Sequence, residues 1–300
     1  MYETDDPRSR LATASQAPVP TSTAFGTSTY ARFYASPPQE TGPGFKTWLT
    51  RGQNFVVAYS EVEEGAVLER KGQLDEYVLL LPDPDSAATI EAGGETQEIG
   101  GYTITMIPPG DSRITITARG RAVRLITTRS PDLVAKVSNP EAYAGPHPHI
   151  PEFEPWPDPV GGFRIRSYSL DVPDEPGRFG KIWRCTTFMV NVFPAQGPRD
   201  VTKLSPHHHD DFEQCSLALE GLYMHHLRWP WTANQHDWRE DEHEECGSPS
   251  VCVIPPRVIH TSAPSAPDSN ILVDIFSPPR EDFSDMPGWV LNAGEYPRKG

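Results

Sequence analysis

Short stretches rich in apolar side chains recur along the chain, and glycine, proline or charged residues separate them. Many alternate apolar with polar positions, which predicts strands, because successive side chains of a strand point to opposite faces. A first group of predicted strands comprises Phe55–Ser60, Ala66–Glu69, Glu76–Leu81, Ala88–Glu91, Tyr102–Ile107, Arg113–Ala118 and Ala122–Thr127. A second group comprises Phe163–Leu170, Ile182–Phe193, Glu213–Glu220, Leu222–Arg228, Val251–Ile254 and Ile271–Phe276. Short strands joined by tight turns favour an all-β sandwich or barrel.

The strand-poor regions divide the chain. Residues 1–45 are rich in serine, threonine, proline and alanine and predict a loosely ordered arm, with a short strand near Tyr30–Tyr34. Residues 138–162 contain closely spaced prolines and predict an extended linker. We therefore expect one β-domain over residues 46–137 and a second over residues 163–300.

The two predicted β-domains resemble each other in sequence. Glu76–Leu81 has the pattern of Glu213–Ala218, and Met106–Gly110 has that of Val253–Arg257. The offset between these pairs indicates an internal repeat of roughly 140 residues, as tandem copies of one domain would produce.

Composition narrows the classes of function. The 33 prolines and 23 glycines disfavour long helices, and the net charge of −15 argues against nucleic acid and anionic membranes as partners. No apolar run is long enough for a membrane-spanning helix. The acidic start of the chain, with Glu3, Asp5 and Asp6, lacks the apolar segment of a secretory signal. A cytoplasmic protein that acts on a small molecule is therefore expected.

Candidate chemistry is concentrated in the second domain. His207, His209 and Glu213 form an H-x-H-x3-E pattern, and His260 follows a pair of prolines further along. Residues two apart on a strand share a face, so His207 and His209 should point the same way. Three imidazoles and a carboxylate are suited to a divalent transition metal, so these four residues are predicted to bind one.

These residues resemble the two sequence motifs of the cupin superfamily. The first motif reads H-x-H, three or four residues, E, six residues, G; here seven residues separate Glu213 from Gly221. The second motif is matched by Gly247, Pro255 and His260, although Arg257 stands where the motif has glycine.

The resemblance to a bicupin implies two tandem double-stranded β-helix, or jelly-roll, barrels, with the metal in the C-terminal one. It also implies a homodimer, because bicupins often pair through edge strands. Cupins perform many reactions, so the resemblance does not select one.

The first domain departs from the motif at the metal positions. Counting back from Glu76 places Arg70 and Gly72 at the positions of the two motif histidines, and Arg113 at the position of His260. Guanidinium groups stay protonated and are poor ligands, so this barrel is predicted to bind no metal. Glu76 is expected to pair with the two arginines, and an anion pocket made by the arginines is the alternative.

Further candidates lie beside the predicted metal site. Tyr223, His225, His226 and Arg228 belong to one predicted strand, and alternation sends the two histidines to opposite faces. The inward histidine is a candidate for proton transfer, and Arg228 for binding a substrate carboxylate. The hairpin between Trp229 and Cys246 is ten residues longer than its first-domain counterpart, with three tryptophans; a lid and a partner surface both remain open.

The predicted function is a metal-dependent enzyme of the dioxygenase type, acting on a small oxygenated molecule that chelates the metal. A non-redox isomerase, decarboxylase or lyase on a sugar acid or keto acid is the alternative, and a non-catalytic binding protein is a third. Iron, manganese, zinc, nickel and copper all suit the predicted ligands.

Overall fold

The structure is a computed structural model that describes residues 25–145 and 147–299, so the part of the predicted arm before residue 25 lies outside the described residues. The N-terminal half contains β1 (Thr29–Arg32), β2 (Glu40–Gly42), β3 (Phe45–Arg51), β4 (Phe55–Val62), β5 (Val67–Gln73), β6 (Tyr77–Leu81), β7 (Ala87–Ala92), β8 (Glu95–Gly100), β9 (Thr103–Ile107), β10 (Gly110–Ala118), β11 (Gly120–Thr127) and α1 (Pro131–Val134). The C-terminal half contains β12 (Arg166–Ser169), β13 (Lys181–Arg184), β14 (Met189–Val192), β15 (Gln214–Glu220), β16 (Leu222–Arg228), β17 (Glu242–Gly247), β18 (Ser250–Ile254), β19 (Ile259–Pro264), β20 (Ile271–Phe276) and α2 (Glu281–Asp285). Short 3-10 turns cover Phe33–Ala35, Pro140–Tyr143 and Gln235–Asp237.

Each half forms a barrel from a large and a small antiparallel sheet. In the N-terminal barrel a seven-stranded sheet (β12-β9-β6-β11-β4-β3-β2) shares one apolar core with a four-stranded sheet (β5-β10-β7-β8). In the C-terminal barrel a six-stranded sheet (β1-β18-β15-β20-β14-β13) is joined by a three-stranded sheet (β17-β16-β19). The predicted all-β fold is confirmed.

The two halves exchange strands. Strand β1 comes from the N-terminal end but pairs with β18, with Thr29 opposite Val253. Strand β12 follows the proline-rich linker but pairs with β9, with Arg166 opposite Met106. Each large sheet therefore includes an edge strand from outside the continuous segment of its own barrel.

The large sheets of the two barrels pack against each other through a shared apolar layer. Its side chains come from alternate positions of both sheets, including Val57, Leu80 and Leu125 on one side and Leu217, Val253 and Ile275 on the other. Burying large apolar side chains contributes roughly 1.5–3 kcal/mol each, so this layer holds the halves together.

Strand β15 shows how one sequence serves two layers. Cys215, Leu217 and Leu219 enter the layer between the barrels. The alternate residues Gln214 and Ser216 are also buried, on the face toward the C-terminal barrel interior. Because both faces are covered, the strand is buried from its first residue to Leu219, and polar side chains line the inside of the C-terminal barrel.

The helices are short. Within the described ranges, neither α1 nor α2 has the length and apolar character that crossing a bilayer requires.

Candidate metal centre

Three histidines meet at one end of the C-terminal barrel. The backbones of His207 and His260 are hydrogen-bonded to each other in both directions, at 3.1 and 2.7 Å, which places the segment before β15 beside β19. His209 lies two residues beyond His207, so its side chain returns to the same face. One ligand atom from each of the three imidazoles lies within 4.8 Å of the others.

Backbone carbonyls orient two of these imidazoles. His207 Nδ1 lies 2.9 Å from the Ser205 carbonyl, and His260 Nδ1 lies 2.9 Å from the Val258 carbonyl. A carbonyl only accepts, so each Nδ1 carries the proton, and the lone pair of each neutral ring is on Nε2, the nitrogen that can bind a metal. Such an outer hydrogen bond commonly fixes the tautomer of a metal-binding histidine.

Gln214 supplies a fourth donor atom. Its Oε1 lies 2.8 Å from His209 Nε2 and 3.4 Å from His260 Nε2. Its amide nitrogen donates to Ser216 Oγ at 3.0 Å and to Asp274 Oδ1 at 3.1 Å, which turns the oxygen toward the histidines. The Nε2 lone pair of a neutral His260 therefore faces the lone pairs of Gln214 Oε1. A cation bound between the two atoms would turn this repulsion into attraction. The residues present fit a divalent metal held by three imidazoles and one amide oxygen.

Glu213, predicted as the fourth ligand, lies in a different place. Its Oε2 accepts a 2.6 Å hydrogen bond from the Gln53 backbone amide, and its Oε1 accepts one of 2.8 Å from the Tyr143 hydroxyl. Burial raises the pKa of Glu213 to about 7. The carboxylate points between the barrels because residues next to each other on an extended segment face opposite sides.

The sequence contained a signal for this correction. Seven residues separate Glu213 from Gly221, whereas the cupin motif has six. Starting the count at Gln214 gives six residues before Gly221 and four after His209, and both spacings fit the motif. The prediction took the acidic Glu213 as the ligand and therefore missed the spacing that fits Gln214.

His209 is held neutral. His209 is 7% exposed, and burial, followed by the charge of Arg280 and the two neighbouring imidazoles, holds its pKa well below the ordinary value. His208, between the two cluster residues, points outward and lies 3.6 Å from Asp210. The His209 ring is therefore available as a ligand across the physiological pH range.

Two of the predicted pocket residues face the barrel interior. Tyr223 and His225 are fully buried on β16, and His225 Nδ1 lies 2.8 Å from Ser262 Oγ. The Tyr223 hydroxyl and His225 Nε2 have no hydrogen-bond partner among the described residues. Burial lowers the pKa of His225 to about 3, so this imidazole is neutral. Unpaired polar atoms in a barrel interior indicate that a ligand or ordered water occupies the space beside them.

The other two predicted pocket residues lie on the outer face of β16, and this corrects the expectation for them. His226 Nδ1 lies 2.7 Å from His243 Nδ1 on the neighbouring strand. The Arg228 guanidinium is exposed and is paired with Asp241 at 2.6 Å. Alternation from the buried His225 sends both side chains away from the barrel interior.

The N-terminal barrel also differs from the prediction. Arg70 pairs with Asp132 at 2.6 Å, and Arg113 is an exposed residue that pairs with Glu69 at 2.5 Å. Glu76 contacts neither arginine. Ser112, which lies opposite Arg70 in the β5–β10 pairing, occupies the place that His260 has opposite His207.

Glu76 instead makes the contacts that Glu213 makes in the other half. Its Oε2 accepts hydrogen bonds of 3.0 Å from the backbone amide and the hydroxyl of Thr186, and its Oε1 accepts one of 2.6 Å from Tyr296. The correspondence of Glu76 with Glu213 in the repeat is therefore real, but both residues connect the barrels. Among the described residues, the histidines of the C-terminal barrel are the one cluster suited to a metal.

The tryptophan-rich hairpin projects beyond the barrel. Trp229 is buried, and the rings of Trp231 and Trp238 stack on each other with centroids 4.5 Å apart. Trp231 is 77% exposed, so the ring face turned away from Trp238 is open to solvent.

Comparisons with known proteins agree with the fold. No protein-family model matches the sequence, and no curated protein does. Among solved structures, AerE from Microcystis aeruginosa matches with a TM-score of 0.53 and 10% identity, over 85% of this chain and 99% of that one. An oxalate decarboxylase from Lactobacillus farciminis in a formate complex matches with a TM-score of 0.55 and 14% identity, over 86% and 89% of the two chains. Protein Ylba from E. coli matches with a TM-score of 0.52 and 14% identity, over 90% and 96%.

At these identities the likeness concerns the fold. Two jelly-roll barrels in tandem, joined by exchanged strands and matching nearly the full length of these structures, show that the chain has the bicupin fold.

Proposed function

We propose that this bicupin is a metal-dependent enzyme of the dioxygenase type, with its active site in the C-terminal barrel. His207, His209, His260 and the amide oxygen of Gln214 would hold one divalent transition metal. The substrate would be a small oxygenated organic anion, such as an enolate or a hydroxy or keto acid. The observation that carries the proposal is a donor set without charge, facing a polar barrel interior.

The charge of the donors selects the substrate class. Three imidazoles and an amide leave both positive charges of a divalent ion uncompensated by a direct ligand, so the site attracts an anionic chelator. Neutral donors also favour the lower oxidation state of a redox metal, which supports iron in the ferrous form. When bound, such a metal supplies Lewis-acid polarisation of a chelated oxygen and electron exchange with dioxygen.

The barrel residues would bind and orient the substrate. The Tyr223 hydroxyl can donate a hydrogen bond to a substrate oxygen, and the neutral His225 can accept a proton at Nε2 or donate from it. Ser262 holds the other ring nitrogen of His225, which fixes the direction of the imidazole. Asp274 would polarise the Gln214 amide and strengthen its oxygen as a donor.

The test begins with the metal content of the purified, untagged protein. We expect about one transition-metal ion per chain, and a large loss of metal in His260→Ala and His207→Ala. His208→Ala is the matched control, because that ring points to solvent. Metal content unchanged in His260→Ala would show that the site assignment is wrong.

The reaction class is tested by oxygen uptake. We expect oxygen consumption by the iron-loaded protein that depends on an added small hydroxy acid, keto acid or enol, and that is lost in His260→Ala. Turnover at the same rate without oxygen would reject the dioxygenase.

A non-redox isomerase, decarboxylase or lyase is the second candidate, and His225 is the observation that favours it. A buried imidazole with an unpaired Nε2 beside the chelation site is placed for the proton transfers that such reactions require. In that case anaerobic turnover would persist and His225→Gln would lower kcat by about 10²-fold. Bound metal without any turnover would instead support the non-catalytic binding protein.

A further inference from the structure

A buried arginine lies inside the N-terminal barrel. Arg124 is 4% exposed, on β11, between Val123 and Leu125, which face the layer between the barrels. Its own side chain therefore points the other way, toward the apolar barrel interior that Leu79 and Ile126 help to form.

Arg124 has no counter-charge in contact with it. Its Nε has no hydrogen-bond partner, and no ion pair of the described residues includes it. The nearby Asp132 is engaged by Arg70 at 2.6 and 3.1 Å, and Glu40 is paired with Lys136. Burial lowers the pKa of Arg124, but a guanidinium stays protonated, so an uncompensated positive charge remains inside the barrel. Such a charge is costly unless something pairs with it.

A second unpaired donor belongs to the same barrel. The Gln73 side chain is 3% exposed, and its Nε2 has no partner among the described residues. Its Oε1 is fixed by Arg70 Nε at 2.9 Å and by Ser130 Oγ at 3.2 Å, so the amide nitrogen is the end left over. The Arg124 Nε and the Gln73 Nε2 are both buried donors without an acceptor, and an anionic ligand that accepts hydrogen bonds would satisfy them.

The repeat relates this arginine to the metal centre. Glu76 and Glu213 make matching contacts, so Tyr77 corresponds to Gln214 and Leu79 to Ser216. Arg124 lies opposite Leu79, as Asp274 lies opposite Ser216. At equivalent positions the two barrels thus carry opposite charges. The C-terminal barrel has the Asp274 carboxylate beside the candidate metal site, and the N-terminal barrel has the Arg124 guanidinium.

We propose that the N-terminal barrel binds a small monocarboxylate, with Arg124 pairing with its two oxygens and Gln73 Nε2 as an additional donor. The charge count selects a monoanion, because Arg70 is offset by Asp132 and Arg124 alone is uncompensated. The planar guanidinium matches a carboxylate in a bidentate pair. The apolar walls suit a short hydrocarbon tail better than the further charges of a phosphate.

The first test is thermal unfolding of the full chain in sodium formate, acetate or propionate, against sodium chloride at equal ionic strength. We expect a carboxylate to raise Tm by about 5 °C at a concentration near 100 times its Kd. In Arg124→Met the increase should vanish, while Arg113→Met should keep it because Arg113 is exposed and paired with Glu69. Without added carboxylate, Arg124→Met should be at least as stable as the wild type.

The second measurement uses the wild-type chain alone, and it separates this site from the metal centre. In crystals grown with bromoacetate, we expect the anomalous bromine signal inside the N-terminal barrel, with the carboxylate at Arg124. A signal at the histidine cluster only, or no carboxylate effect on Tm, would overturn the proposal. Equal stabilisation by chloride would overturn the carboxylate assignment.

Discussion

Glu213 and Gln214 are adjacent and similar in shape, yet they serve different layers of the molecule. The carboxylate of Glu213 accepts hydrogen bonds from Gln53 and Tyr143 of the N-terminal half, while the amide of Gln214 faces the histidines. A shift of one position along the strand therefore decides whether a side chain contacts the other barrel or faces the candidate metal site.

Gln214→Leu should lower metal affinity by at least about 10–100-fold, the range seen when groups that support a metal site are removed. Glu213→Gln should retain the metal, because an amide oxygen can still accept from the Gln53 amide and the Tyr143 hydroxyl. Metal content after dialysis against a graded chelator series measures both. Loss of metal in Glu213→Gln with retention in Gln214→Leu would reverse the assignment.

Arg257 carries strain beside the same site. It occupies the position where the cupin motif has glycine, and its backbone has φ +69°, the left-handed region that glycine adopts without penalty. Its amide donates to the His209 carbonyl at 2.5 Å, which holds the turn against the metal centre.

Arg257→Gly should therefore stabilise the protein by about 1 kcal/mol, which is the order of the left-handed penalty. Urea unfolding measures the change, and the metal content should stay at the wild-type level. Gly65, on an open turn with φ +84°, supplies the converse control: Gly65→Ala should destabilise by a similar amount. A loss of stability in Arg257→Gly would show that the side chain contributes more than the strain costs.

At the scale of the element, strand positions were largely predictable and pairing partners were not. β15 and β16 were expected within one residue of their observed bounds, since their apolar alternation is clear. β17 was not among the predicted strands, because half of its residues are glutamates. Its Glu242 accepts hydrogen bonds from Ser28, Tyr30 and Trp229, and the first two lie more than 200 residues away in the chain. The local sequence around Glu242 contains no information about hydrogen-bond partners so distant in the chain.

The candidate site was likewise predictable only in part. The three histidines were identified from spacing, because the H-x-H pattern puts two rings on one face. The direction of Glu213 and the parity of His225 and His226 depend on where β15 begins and on which face of β16 the other sheet covers. Tertiary packing sets both. The sequence left the parity of the two histidines open, whereas for Glu213 the spacing to Gly221 was a local signal.

The Glu76 carboxylate joins a strand start in one barrel to a turn in the other and makes stability depend on pH. Burial, its largest influence, raises the pKa of Glu76 above the ordinary value. The folded state therefore favours the protonated form, and this contribution to stability is complete below about pH 4.5 and is lost as the pH rises through the folded-state pKa.

Glu76→Gln should remove that pH dependence, since an amide does not titrate. We expect the wild type to lose stability relative to the variant as the pH is raised from 4.5, in urea unfolding measured at several pH values. Glu98→Gln, at an exposed position, should leave the wild-type profile unchanged. A difference between wild type and Glu76→Gln that stays constant with pH would contradict the assignment.

At the scale of the whole molecule, the two barrels form one folding unit. They share an apolar layer, exchange β1 and β12, and are joined by two buried glutamates that reach across the layer. Strands β1 and β12, which close the two large sheets, lie outside the continuous segments of the barrels that they complete.

Residues 46–137 and 163–299, expressed separately, should therefore fail to fold cooperatively. Each would expose its side of the apolar layer; the first would lack β2 and β12 of its large sheet, and the second would lack β1. Exposed apolar faces and edges promote association. Circular dichroism on heating and binding of an apolar dye measure this. A cooperative transition in either isolated half, with a Tm near that of the full chain, would show that the barrels fold independently.

The shared layer also has an evolutionary consequence. Gln214 and Ser216 belong to the metal centre, while Cys215 and Leu217 of the same strand press on the N-terminal barrel. A change of volume on that barrel's outer sheet would shift the strand that carries the donor oxygen. Selection that preserves the histidine cluster should thus slow the drift of outward positions in the N-terminal barrel, where no metal cluster is found among the described residues, while its inward positions vary more freely.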